Sequence, residues 1–303
     1  MNIGGDSLAS ETGHIPKAVF AIIISVAALS LGDALIKGTS LSLPLWQIYI
    51  LRSALVVPVL WGIVRFRGAG RPKSFAWVTL RSVLLVAMWL SYYSALPLMP
   101  LSLAAAAYYT APILITVLAA GMSRQWPTRR LLCAICLGFA GVILILRPDT
   151  SGFEFATLLP VVAAFLYACA MVLTARTCRD DDPFTLALAL NIAFIVTGVG
   201  LAMFSDVEGS FVFGPWQSVD AGLLGVVAAL SMAILIGSVG AAVAYQTGPP
   251  TTIAAFDYSY LAFSLMWGAL FFDEWPTVVG MAGIAMIALA GCLSLPKPDR
   301  RKS

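Results

Sequence analysis

Apolar runs of about the length of a membrane-spanning helix follow one another along almost the whole chain, with only short polar breaks between them. A bilayer core needs about 20 apolar residues per helix, because every backbone polar group must be paired within the segment. The runs therefore predict an all-α membrane protein with ten transmembrane helices. Their expected limits are Ala18–Ile36, Leu43–Val64, Phe75–Leu96, Leu101–Gly121, Leu131–Leu146, Phe155–Ala175, Phe184–Phe204, Ala221–Tyr245, Thr252–Phe272 and Thr277–Leu295.

The composition leaves no room for a soluble domain. Of the 303 residues, 60% are hydrophobic and only 11% are charged, whereas soluble domains carry about 25% charged residues. The longest connections, residues 65–74 and 205–220, are too short to bury a core of their own. The net charge of +3 is scattered and forms no basic stripe. We therefore expect the lipid bilayer as a partner and no nucleic acid.

Basic residues indicate which way the spans run, because cytoplasmic connections carry an excess of Lys and Arg. If the N-terminus is cytoplasmic, 14 of the 18 basic residues fall in cytoplasmic segments, and only Lys37 and Arg147 fall in outer connections. The other two, Arg52 and Arg81, lie within spans. We therefore predict that both termini are cytoplasmic. The first span is longer than the apolar part of a signal peptide, so we expect it to remain uncleaved.

The chain contains an internal repeat. Shifted by 149 residues, residues 95–128 align without a gap with residues 244–277, and nine of the 34 pairs are identical. The informative matches are Tyr109 with Tyr258 and the WPT triplets in SRQWPTRR and FFDEWPT. A shift of 139 residues extends a weaker match to the opening helices of each half. The sequence therefore predicts two five-helix repeats.

Because five is an odd number, the second repeat enters the membrane upside down, as in many secondary transporters. The opposite charges of the two WPT turns agree with this inversion, since only the cytoplasmic copy carries arginines. The predicted organisation is a cytoplasmic tail (1–17), a first repeat (18–148), a second repeat (155–295) and a basic cytoplasmic tail (296–303).

Three segments of the chain resemble the EamA-type branch of the drug/metabolite transporter superfamily, and the match covers nearly the whole chain. They are SYYSALPLMPLSLAAAAYYTAPI (91–113), GFAGVILILRP (138–148) and ALFFDEWPTVVGMAGIAMIALAG (269–291). LGDALIKGTS (31–40) with QIYILRSAL (47–55) is similar to a signature of one subset of that branch. The chain has Gln125 where the family commonly has an acid, whereas Glu274 keeps the acid in the second copy.

Ionisable side chains within spans are functional candidates, because an unpaired charge in hydrocarbon is costly. Arg52 is too deep in its span to reach the interface readily, and fits either a clamp for a carboxylate or phosphate or a structural ion pair. Asp33 and Lys37, one helical turn apart, fit a structural pair, and Asp33 also fits a partnership with Arg52. Asp257 fits binding of a proton or a substrate amine, or a polar contact between helices.

Aromatic and amide side chains complete the predicted site. Several tyrosines lie deep enough in their spans to line a cavity, whereas tryptophans at span ends are typical of the interfacial belt. Asn191, the repeat partner of Arg52, fits either the same site or a contact that joins two helices. The predicted substrate-binding residues are Asp33, Lys37, Arg52, Trp89, Tyr92, Tyr108, Tyr109, Tyr167, Asn191, Asp257 and Tyr258.

No feature of the sequence indicates a cofactor, a metal or a catalytic centre. The pair Cys133 and Cys136 has no second pair to complete a zinc site. The single histidine, His14, lies outside the spans, and no phosphate-cradling glycine loop is present. We therefore expect a protein that is not an enzyme, and whose coupling comes from a proton or a counter-solute.

The family resemblance implies a permease of the cytoplasmic membrane that moves a small organic solute. Its members export or import amino acids, nucleotide-like metabolites, vitamins or drugs. We expect export of an amino acid or related compound; the alternative is import of a riboflavin-like vitamin or an adenosyl metabolite. A scaffold without transport and an intramembrane enzyme are more distant alternatives. The sequence is compatible with a monomer and with a homo-oligomer.

Overall fold

The computed structural model describes residues 5–38, 43–68, 72–95, 98, 107–124, 126–146, 158–205, 207–208, 210–273, 275 and 277–295, without the side chains of residues 5–14, 36–38 and 146. Every long regular element in this part of the chain is an α-helix. The helices are α1 (Gly5–Gly38), α2 (Leu45–Phe66), α3 (Phe75–Ala95), α4 (Ala111–Ser123), α5 (Arg129–Leu146), α6 (Leu158–Arg176), α7 (Pro183–Ala202), α8 (Ala221–Thr247), α9 (Pro250–Asp257), α10 (Ser259–Phe272) and α11 (Val278–Ser294).

Most of these helices are apolar along their whole length, so the protein is a multi-pass membrane protein. Seven stretches of the described residues are long and apolar enough to cross a bilayer. They are Ile15–Leu35, Leu45–Phe66, Phe75–Ala95, Leu158–Arg176, Pro183–Ala202, Ala221–Thr247 and Pro250–Phe272. Two apolar helices, α4 and α11, are shorter. Helix α1 begins at Gly5, well before the predicted first span.

The helices pack in pairs taken from the two halves of the chain. Helix α1 packs along α8, α2 along α7, α3 along α6 and α5 along α11. Small residues let α5 and α11 touch at their backbones: a Cβ atom built on Gly141 would lie 2.8 Å from the carbonyl oxygen of Gly283. In a membrane, where lipid is as apolar as the side chains, such close contact is what holds helices together.

Buried glutamines tie the connections to the ends of the bundle. The amide of Gln47 donates to the carbonyl of Gln217 at 2.6 Å and accepts from its backbone N–H at 2.9 Å. This contact holds the connection between α7 and α8 over the start of α2. At the other end of the bundle, Gln246 donates to the carbonyl oxygens of Cys178 and Asp181 at 2.5 and 2.8 Å. Both ends of the helix bundle are therefore held by hydrogen bonds that satisfy buried polar groups.

The two turns that carry WPT share backbone features at matched positions. Arg124 and Asp273 end α4 and α10 in the left-handed region, with φ of 53° and 57°. Four residues later in each copy, the hydroxyl of Thr128 or Thr277 accepts a backbone N–H of the next helix, at 3.3 and 3.2 Å. A left-handed residue ends a helix and a threonine cap begins the next one. The opposite charges of the two turns leave this geometry unchanged.

Candidate functional site

A helix is interrupted at Tyr258, and its repeat partner Tyr109 lies in a turn directly before α4. Helix α9 ends at Asp257, Tyr258 forms a turn, and α10 begins at Ser259. In the first half, the turn at Tyr109 and Thr110 precedes α4 in the same way. The two tyrosine rings lie 6.3 Å apart. Interrupted helices leave backbone groups and side chains available for a ligand, and transporters use them to build substrate sites.

The side chain of Asp257 is buried next to this break, and only one of its oxygens is hydrogen-bonded. Oδ2 accepts from the hydroxyl of Tyr245 at 2.5 Å and from that of Tyr167 at 3.3 Å. Oδ1 is buried and accepts no hydrogen bond. Helices α6, α8 and α9 therefore meet at one carboxylate that keeps an unused acceptor.

Asp257 faces a cavity between α1, α3, α4, α6, α7, α8 and α10. The cavity has about 860 Å³ of empty space, including the part that opens to the surroundings. Leu85, Met88, Met171 and Phe194 give it an apolar lining. Such a space, largely apolar with a few polar groups, is typical of sites for small organic molecules.

Aromatic rings form one side of this cavity. The sequence-predicted residues that line it are Trp89, Tyr108, Tyr109, Tyr167 and Asp257. The rings contact one another in a continuous series: Tyr108 lies 6.0 Å from Tyr167 and 5.9 Å from Tyr109 between ring centroids. Tyrosine rings can pack on a flat solute, and a tyrosine hydroxyl can also hydrogen-bond to it.

The carboxylate of Asp33 lies behind this aromatic side. Tyr93 donates to it at 3.4 Å, and Tyr260, which lines the cavity, also donates to it. Its hydrogen-bond partners are thus tyrosines rather than Arg52. Tyr92 contacts Tyr108, with 5.2 Å between centroids, and belongs to the same group of rings. Lys37 is a predicted partner of Asp33, but the side chain of Lys37 lies outside the described residues.

The structure places Arg52 and Asn191 on the packed pair α2 and α7, and neither is among the described residues that line the cavity. The Arg52 guanidinium lies over the rings of Phe194 and Tyr49, at 4.4 and 5.0 Å, and its Nε and Nη2 have no hydrogen-bond partner. Asn191 donates to the carbonyl of Ala187 at 2.9 Å, and its Oδ1 accepts nothing. Arg52 therefore contacts Phe194, a residue of the cavity lining, without lining the cavity itself.

Tyr258 is also buried away from the cavity lining. Its hydroxyl has no hydrogen-bond partner, and its ring packs with Tyr109, Val142, Leu261 and Ile287. A Cβ atom on Gly138 would lie 2.5 Å from this ring, so the ring fills the space against α5. Tyr258 thus has a packing role at the helix break.

Arg81 lines the cavity but was not among the predicted site residues. It lies in α3, is 1% exposed, and donates from Nε to the Thr174 hydroxyl at 2.6 Å. Its Nη1 is buried without a partner. The sequence did contain a signal, since Arg81 is one of the two basic residues that lie within predicted spans. Tyr245 and Tyr260, which donate to the two carboxylates, were likewise absent from the predicted set.

No group of three His, Cys, Asp or Glu side chains that could hold a metal ion occurs in the described residues. Cys133 and Cys136 are free and exposed on α5.

The chain is similar to proteins that are named as transporters. Residues 16–147 match the EamA-like transporter family. The pseudopaline exporter CntI of Pseudomonas aeruginosa is 21% identical over 288 residues, which cover 94% of this chain and 98% of that protein. The riboflavin transporter of Vibrio cholerae is 26% identical over 277 residues, covering 89% and 87% of the two chains. The riboflavin transporter of Rhizobium johnstonii is 26% identical over 238 residues, covering 75% and 73%.

A solved crystal structure has the same fold. Its TM-score to this chain is 0.75, with 18% sequence identity, and the match covers 94% of this chain and 96% of the other. The fold and the named relatives point to a membrane transporter of a small molecule rather than to an enzyme. The chain is thus similar to the EamA-like transporter family over residues 16–147, and to proteins named as transporters over most of its length.

Proposed function

We propose that this chain is a secondary active transporter that exports an amino acid or a related small polar metabolite across the cytoplasmic membrane by alternating access. The observation that carries the proposal is the carboxylate of Asp257, which faces the cavity beside a helix break with Oδ1 unused. Substrate sites of secondary transporters lie at such interrupted helices. The ammonium group of an amino acid is a donor that suits this oxygen.

The same proposal includes ten spans in two inverted five-helix repeats, with both termini in the cytoplasm. Matched positions of the two halves support it: the turns at Tyr109 and Tyr258, and the left-handed residues Arg124 and Asp273. Helix pairing supports it as well. In the proposed repeat, α1 corresponds to α6 and α8 corresponds to α3. The pair of α1 with α8 therefore corresponds to the pair of α6 with α3, and both pairs are packed.

Counterflow in proteoliposomes tests the function, because it detects exchange of a labelled solute whatever the coupling ion. The reconstituted protein, loaded with each unlabelled metabolite of a panel, should accumulate the labelled form of its substrate. Asp257→Asn keeps the shape but removes the charge, and we expect a loss of about tenfold or more in rate at low substrate.

The matched control is Asp220→Asn. Asp220 caps α8 from an exposed connection, and asparagine caps a helix equally well. This control should transport like the wild type. Absence of flux for every solute in both directions would remove the support for transport, and normal flux in Asp257→Asn would remove Asp257 from the site.

Import of a riboflavin-like vitamin is the second candidate. The tyrosines and the Trp89 ring that line the cavity favour it, because a flat ring system stacks on aromatic side chains. The relatives from Vibrio cholerae and Rhizobium johnstonii are named riboflavin transporters. Riboflavin has no ammonium group, so Asp257→Asn should affect its transport much less than that of an amino acid. The same panel, with riboflavin and an adenosyl compound included, separates the two candidates.

A further inference from the structure

Arg81 and Asp257 line the same cavity with opposite charges and do not hydrogen-bond to each other. Asp257 accepts from Tyr245 and Tyr167, and Arg81 donates to Thr174. Both side chains are buried, and each keeps one polar atom without a partner, Nη1 in one case and Oδ1 in the other. Since a buried unpaired polar atom is costly, two of them in one cavity indicate a ligand with complementary groups.

The position of Arg81 is fixed on one side only. The Thr174 hydroxyl accepts from Arg81 Nε at 2.6 Å and donates its own hydrogen to the carbonyl of Ala170 at 2.7 Å. With its proton committed in this way, Thr174 acts toward Arg81 only as an acceptor. The contact therefore orients the guanidinium from α6 and leaves the Nη1 end for a planar anion, the shape that this fork matches.

We propose that Arg81 binds the carboxylate of the transported solute while Asp257 holds its amine, so that the cavity selects molecules carrying both charges. This inference rests on the proposed transport function and adds the substrate class and a specificity-determining residue. Apolar side chains such as Leu85 and Met88 line the same cavity and suit the uncharged remainder of the solute. Arg52, the cation that the sequence favours as a carboxylate clamp, contacts Phe194 without lining the cavity itself.

Equilibrium binding to the full-length protein in lipid nanodiscs tests this assignment. The probe is labelled phenylalanine, or any other standard amino acid that gives a stronger signal. The competitors are phenethylamine, which lacks the carboxylate, and phenylpropionate, which lacks the amine. In the wild type, each competitor should bind about tenfold or more weakly than phenylalanine, because each leaves one buried charge unpaired. This comparison needs no variant and therefore does not depend on folding of a mutant.

Arg81→Gln should then weaken phenylalanine binding by about tenfold or more and leave phenethylamine binding unchanged. Arg65→Gln, at an exposed arginine in the last turn of α2, is the matched control and should change neither. If Arg81 only joined α3 to α6 through Thr174, Arg81→Gln would weaken the binding of both ligands equally. That result would overturn the proposal, as would equal wild-type affinity for phenylalanine and phenethylamine.

Failure of this inference is separate from failure of the transport function. If no amino acid binds to the wild type but another solute moves in counterflow, the chain remains a transporter and the selection of zwitterions is overturned. If no solute moves at all, the transport proposal itself fails.

Discussion

Burial of a carboxylate in an apolar cavity is costly unless its oxygens accept hydrogen bonds. At Asp257 both tyrosine hydroxyls donate to the same oxygen, from Tyr245 near the end of α8 and from Tyr167 within α6. Two donors on one oxygen restrict rotation of the carboxylate and hold its second oxygen toward the cavity. The tyrosines are therefore positioning residues, which act on a ligand through Asp257.

Replacement of Tyr245 by phenylalanine tests this role. Tyr245→Phe removes one donor from a charged acceptor, so we expect the apparent affinity for the transported solute to fall about tenfold. Tyr49→Phe is the matched control, because the Tyr49 hydroxyl is buried without a partner and its removal should be neutral or slightly stabilising. The measurements are the KM in counterflow and the melting temperature in nanodiscs. Equal effects of the two variants would contradict the positioning role.

Some residues of the candidate site could be predicted from the sequence, because a polar side chain is unusual within an apolar span. That argument leads to Asp257, Tyr108, Tyr109 and Tyr167, which line the cavity, but it did not select Tyr260. It gives the same weight to Arg52, which contacts Phe194 without lining the cavity itself, and it did not extend to Arg81. When a helix is apolar on all sides, its sequence does not indicate which face is turned toward a cavity.

At the level of helices, the repeated WPT turn was visible in the sequence and the helix break was not. The turn has a signature of its own, with proline and a threonine cap before the next helix. The break at Tyr258 consists of a single residue between two apolar segments. The backbone angles of this residue are still helical. An apolar run reads the same with or without such a break, so the predicted ninth span contains both α9 and α10.

The crossing of α5 and α11 depends on glycines, and Gly141→Ala tests it. Helix propensity alone favours alanine by about 1 kcal/mol. At Gly141, however, the added Cβ would lie 2.8 Å from the backbone oxygen of Gly283 and 3.1 Å from Ile287. Backbone cannot move aside as a side-chain tip can, so we expect a net loss of about 1–3 kcal/mol.

The comparison variant is Gly225→Ala, in α8, where a Cβ atom would have no neighbour within 4 Å. It should have the same or a slightly higher melting temperature in nanodiscs, whereas Gly141→Ala should melt lower. If both variants shift in the same direction, the contact between these backbones does not limit stability.

For the whole molecule, composition alone predicts a membrane environment, since a chain with 60% hydrophobic residues belongs in a bilayer. The pairing of α1 with α8 and of α3 with α6 could not be predicted from the sequence. Helices that are apolar all round offer no preferred side to a partner, and small residues that permit close approach are frequent in every span. The cavity depends on these pairings, and therefore its lining was only partly predictable.

The orientation of the molecule follows from the charge of its connections and is open to a direct test. Arg176 and Arg179 lie at the end of the bundle where α6 meets α7, and the excess of basic residues predicts that this end faces the cytoplasm. In a variant without natural cysteines, Glu208→Cys should react with a membrane-impermeant maleimide in intact cells. Asp180→Cys should react only after permeabilisation. Both positions are exposed acidic residues in connections, so they form a matched pair that differs in the predicted side. Labelling of Asp180→Cys in intact cells would contradict cytoplasmic termini.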